Sequence, residues 1–186
     1  MSNARKLANL LGTSTTVPSS KLSLVSGDMP TGSVLQVVSG TNTNSSSLNG
    51  MTDLITLDIT PSTTSSKILL QFSGVASSVR RYVGYQLFRG STQIAMGATP
   101  GNRATVIAAL DSNNDSTNDG YCGRSAAACY IDSPSSTSQI TYKLKGGNYY
   151  TSGSGYEFEL NRAALDSDDA YMIRGIHSFI AIEIAG

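Results

Sequence analysis

The sequence predicts an all-β fold, a jelly-roll-like antiparallel β-sandwich preceded by a short N-terminal helix and an extended arm. Three observations predict it. Apolar and polar residues alternate over short stretches, the two-residue period of a half-buried strand. Ser and Thr make up about a quarter of the 186 residues and favour strands and turns over helix. Gly, Pro, Asn, Asp and Ser separate the alternating stretches at short intervals, the spacing of a sandwich or jelly roll.

Taken in order, residues 33–38 (SVLQVV) open the β-module. In residues 53–60 (DLITLDIT), Ile55, Leu57 and Ile59 share one face, with Thr56 and Asp58 on the other. Ile68, Leu70 and Phe72 align within residues 67–75. Residues 82–89 and 92–96 flank Gly90-Ser91, a pair suited to a two-residue hairpin turn. Strands follow over residues 104–110, 126–131, 139–145 and 156–160. In residues 139–145 Ile140, Tyr142 and Leu144 align. Residues 172–184 close the chain, with Ile176, Ile180, Ile182 and Ile184 expected inward and His177, Phe179 and Glu183 on the opposite, outward face. A helical turn is expected at residues 161–165.

The first thirty residues break the pattern. Residues 2–12 (SNARKLANLLG) have helical spacing, with Ala4, Leu7, Ala8, Leu10 and Leu11 on the apolar side. Two turns of helix are marginal alone in water, because nucleation costs more than so few hydrogen bonds return. That apolar side therefore needs a surface to dock on. The Ser/Thr/Pro arm that follows reads as a tether, giving an anchoring segment over residues 1–30 and a β-head over 31–186.

Composition narrows the function. Charged residues are only 14% of the chain and the formal net charge is zero, which argues against nucleic acid as a partner. No apolar run approaches the ~18 residues of a membrane span, so no membrane is expected. Cys122 and Cys129 do not make a disulfide framework, and two reduced thiols are the favoured reading. One histidine, His177, gives no second imidazole for a metal pair, and neither a metal nor a cofactor is expected. His177 itself reads as a surface or subunit-interface residue.

Glu157 and Glu159 have the look of a paired-carboxylate site but are expected to form a solvated outer face. The acidic stretch from Asp111 to Asp119 offers oxygens at alternating positions, yet lacks the Gly and closing Glu of a calcium loop, having Ser116 and Cys122 there. It and the turn holding Asp166, Asp168 and Asp169 are taken as plain polar loops. The loop over residues 146–155 is Gly-, Ser- and Tyr-rich, the composition of a recognition surface. Asn148, Tyr149, Tyr150 and Ser152 are its candidate contacts for a ligand such as a glycan, since Tyr rings stack on sugar faces.

Several stretches taken together resemble small β-sandwich virion proteins of marine and cyanobacterial tailed phages, of the head-decoration or tail-fibre-like kind. They are SNARKLANLLG, MPTGSVLQVVSG, TPSTTSSKILLQFSG, LFRGSTQIA, YIDSPSSTSQITYKLK and IAIEIAG, in that order along the chain. The resemblance implies a jelly-roll-like head, a homotrimer, displayed on the virion surface after synthesis in the bacterial cytoplasm, without enzyme activity. It also implies that the N-terminal segment attaches to a major capsid protein or tail protein of the same particle. Phe179 and Tyr82 are the outward apolar residues expected to be buried between protomers. A tail-fibre-like receptor-binding protein is the alternative, and a depolymerase a third reading.

Overall fold

The computed structural model describes residues 28–78, 82–98, 101–110, 123–149, 157–170 and 172–186. The anchoring residues, the arm as far as Gly27, Cys122 and the acidic loop lie outside them. Where the sequence alternates, the chain forms strands: β1 (Val34–Asn42), β2 (Ser46–Leu48), β3 (Thr52–Ile59), β4 (Lys67–Ser77), β5 (Val83–Arg89), β6 (Thr92–Ile94), β7 (Ala108–Leu110), β8 (Arg124–Asp132), β9 (Ile140–Asn148), β10 (Phe158–Leu160) and β11 (His177–Ile184). None of these elements is a helix, and residues 161–165 form a turn and bends instead of the expected helical turn. The three-residue β2, Ser-Ser-Leu, has no hydrophobic alternation and was invisible to it.

The strands divide into two antiparallel sheets. The first runs β1-β11-β4-β10-β2, with β8 on the far edge of β4; the second runs β3-β9-β5-β6, with β7 also beside β5. The two-residue hairpin is as predicted: Arg89 pairs with Thr92, and Gly90 takes the left-handed φ of 59° that the turn needs. The facing sides of the sheets make one core. Ile55, Leu57, Ile59, Tyr85, Leu87, Tyr142 and Leu144 come from the second sheet. Ile68, Leu70, Phe72 and Phe179 meet them from the first, and Tyr85 lies 4.9 Å from Phe72 and edge-on to Phe158 at 5.4 Å.

The closing strand reverses the predicted orientation. His177, Phe179, Ala181 and Glu183 point into the sandwich, while Ile180, Ile182 and Ile184 face outward and Ile176 is exposed. Phe179 is thus core, not an outward face. Register explains the reversal, because the side-chain period of two sends a whole strand one way or the other. β11 pairs Phe179 with the inward Phe72 and Ile182 with Leu69, and the buried His and Glu each find hydrogen-bonding partners. Hydropathy alone favours the isoleucines inside; satisfied polar groups at both ends of the strand make the opposite choice affordable.

Candidate functional site

The chemically distinctive groups are buried ones, and they are bonded to each other. His177 has no exposed surface. Its Nε2 is 2.9 Å from the Tyr85 hydroxyl and its Nδ1 is 2.7 Å from Asn161 Oδ1. Asn161 Nδ2 donates to the carbonyls of Asn42 and Asn44, at 2.7 and 2.8 Å. Its Oδ1 is left to accept, which places the imidazole proton on Nδ1 and makes Tyr85 the donor to Nε2. Burial lowers the His177 pKa to about 4 and pushes the Tyr85 phenol well above its usual range. A neutral imidazole with both nitrogens occupied ties β5 and β11, from opposite sheets, to the β1–β2 corner. It is a structural relay, and the surface or interface reading of His177 is corrected.

Two carboxylates are buried the same way. Glu183 accepts from the Ser62 amide (2.5 Å), the Ser66 hydroxyl (2.7 Å) and Gln36 Nε2 (2.5 Å). Burial alone would push its pKa up, but these donors together hold it below the ordinary carboxylate range. Asp132, at the end of β8, accepts from Arg89 Nη1 at 3.0 and 3.1 Å and from the Tyr142 hydroxyl at 2.6 Å, joining the two sheets at one end.

The Glu157/Glu159 pair is not the solvated face that the sequence suggested. Phe158 between them is fully buried, and Glu159 is buried too, bound to Arg162 at 2.6 and 2.9 Å and to the Ser47 hydroxyl. Asp166 is likewise engaged by Arg162 and Arg174. A cleft of about 340 Å³ beside it is lined by Ser167, Asp168, Asp169 and Met172. Among the described residues no group of three His, Cys, Asp or Glu side chains could hold a metal, and no helix is long and apolar enough to cross a membrane.

Of the four residues proposed for recognition, Tyr150 and Ser152 lie outside the described residues. Asn148 is buried as the last residue of β9, paired with Val83. Tyr149 is half-buried and stands edge-on to Tyr82, ring centroids 6.3 Å apart, with its amide bonded to the Tyr82 carbonyl at 2.9 Å. Tyr82, exposed and at a left-handed φ of 77°, holds that ring at the sandwich end. Cys129 is free and exposed on β8.

The outer faces of the two sheets differ most. On the second sheet, charges alternate with polar groups: Asp53 is bridged by Lys143 (2.8 Å) and Lys145 (3.0 Å), and Asp58 accepts from Thr141. On the first, Val37, Ile182, Leu69 and Ile131 stand in one cross-strand row on β1, β11, β4 and β8. Val37 is 58% exposed and Ile131 54%. Alternation alone does not show this row, because hydropathy puts the isoleucines of the last strand in the core.

No protein-family model matches the chain, and no curated protein does. Among solved structures it is similar to a chain in the structure of infectious bursal disease virus, Gx strain. The similarity covers 81% of this chain and 37% of the viral one, at 11% identity and a TM-score of 0.39, so the chain spans little more than a third of that protein.

Proposed function

We propose that this chain is a non-enzymatic virion structural protein, a homotrimeric jelly-roll decoration knob held on a phage head by its N-terminal segment. The strand order is the observation that carries the reading. With the three-residue β2, β7 and β10 set aside, the two sheets read β1-β11-β4-β8 and β3-β9-β5-β6, and the chain changes sheet at every step except the β5–β6 hairpin, the strand order of the double Greek-key jelly rolls used in capsid and lectin domains. The ordered resemblance to phage virion proteins supports the same role. So does the employment of His177, Glu183, Asp132 and Glu159 in holding the sandwich together. Anchoring falls to Ala4, Leu7, Ala8, Leu10 and Leu11, and three such anchors per trimer raise attachment through effective concentration.

Deleting residues 1–12 is expected to leave a head with unchanged far-UV circular dichroism that no longer sediments with particles lacking their own copy. Full occupancy by the truncated protein would refute the anchor.

The Tyr82–Tyr149 pair favours a second reading, a tail-fibre-like receptor-binding protein holding a host surface glycan by stacking sugar faces on tyrosine. On that reading, Tyr149→Ala abolishes binding of the purified protein to host envelope polysaccharide without lowering the melting temperature by more than a few degrees. Labelling on intact particles separates the two: copies spread over the head mean decoration, and a tail-restricted label means adhesion.

A further inference from the structure

The outer face of the β1-β11-β4-β8 sheet is built for burial, and we infer that it packs against a second copy of this chain. The row Val37–Ile182–Leu69–Ile131 crosses four strands, and Ile180 and Ile184 extend it along β11. An outer sheet face that stays in water alternates toward polar and charged residues, as the second sheet's does with Asp53, Asp58 and Lys143. Here, among the outward positions of the four strands, the one charged side chain is Lys67, at the end of β4; Ser39, Thr41, Gln71, Ser73, Ser125 and Ser178 make the other end polar but uncharged.

Three features select a second copy as the occupant. Val37, Ile131, Ile180, Ile182 and Ile184, with Leu69, give one end of the face an aliphatic, mostly β-branched surface of the kind that packs sheet on sheet about 10 Å apart. Apart from Lys67 at its edge it has no charge to complement, which removes the device that specifies a different, charged partner and leaves shape and apolar area, properties that a copy of the same face supplies to itself. Its size is also adequate. Four strands about 4.8 Å apart and eight residues rising about 3.3 Å each cover roughly 500 Å² per protomer, so two such faces reach the ~1,000 Å² of a specific interface. A face packed on its own copy makes a twofold contact, distinct from the threefold of the reading above, so the inference does not rest on that reading.

Cys129 lies on this face, two residues from Ile131 along β8, and so reports on whether it is covered. The test uses the full, reduced chain without particles. Native mass spectrometry gives the copy number, and peptide-resolved iodoacetamide labelling gives the reactivity of Cys129. The wild type is expected to be an oligomer in which Cys129 reacts at least about tenfold more slowly than in V37K/I131K, since access limits thiol reactivity. V37K/I131K is expected to be monomeric with an unchanged circular dichroism spectrum, because both side chains are already exposed in the protomer. Ser39→Arg, beside Ile180 on the same face, repeats the experiment at a polar position. Thr56→Lys, on the other sheet, is expected to keep the oligomer.

A monomeric wild type, or an oligomer that survives both face variants, overturns the proposal. So does a monomer whose Cys129 is protected until residues 1–12 are removed, which would make the chain's own N-terminal segment the occupant. A dimer sensitive to V37K/I131K would uphold this interface while removing the threefold from the virion reading. Loss of particle attachment on deleting residues 1–12 is a separate measurement and leaves the interface standing.

Discussion

Gly74→Ala is expected to destabilise the head by about 2–6 kcal/mol, a large share of what a domain of this size possesses. Gly74 sits in β4 facing inward, and a Cβ there would lie 2.1 Å from His177 Cδ2 and 2.4 Å from Nε2. The ring has no room to retreat. It is fully buried beside Phe158 and Tyr85 and pinned at both nitrogens. Overpacking of this kind costs about 1–3 kcal/mol. Tilting the ring to relieve it breaks at least one bond to Tyr85 or Asn161 and leaves a buried partner unsatisfied, a further ~1–3 kcal/mol. Urea unfolding gives the value, and a double-mutant cycle identifies its source: His177→Ala, which vacates the ring's volume, should make the added Gly74→Ala nearly neutral. Equal costs in the two backgrounds would mean that the glycine serves the strand and not the histidine.

The same pair shows where the sequence was readable and where it was not. Alternation placed the major strands because it depends on local periodicity alone, and the Gly90-Ser91 turn because its φ demands glycine. The direction of the last strand depends on partners far away in sequence. His177 and Glu183 go inside because Asn161, Tyr85, Ser62, Ser66 and Gln36 are waiting there, spread over 147 residues of separation in the widest case. Gly74 was the one local hint, a glycine interrupting a strong strand pattern where another group approaches closely. Once the strand is inverted, two consequences follow together: the histidine ceases to be a surface residue, and the isoleucines become an outer apolar face. The recognition loop shows the opposite limit. Its composition suggested four contacts, but Asn148 ends a strand and its side chain is spent inside.

Stability should fall by about 3 kcal/mol as the pH drops from 6.5 to about 4, through His177 alone. Burial lowers its pKa from 6.5 to about 4 in the folded state, so between those values the unfolded chain binds a proton that the folded one refuses. Unfolding then takes up protons, and stability rises with pH at up to about 1.4 kcal/mol per unit. The contribution is fully present above pH 6.5 and lost as the pH falls toward 4. The lowered pKa of Glu183 works in a lower window, below the ordinary carboxylate value, and adds to the loss there. The chain has no other histidine, which makes the upper window clean. Urea midpoints measured between pH 5 and 7 at fixed ionic strength should therefore slope in the wild type and be nearly flat in His177→Gln, whose amide keeps one donor and one acceptor for Asn161 and Tyr85. Equal slopes in the two proteins would place the proton elsewhere and dissolve the neutral-imidazole relay on which the inverted strand, and with it the apolar outer face, depends.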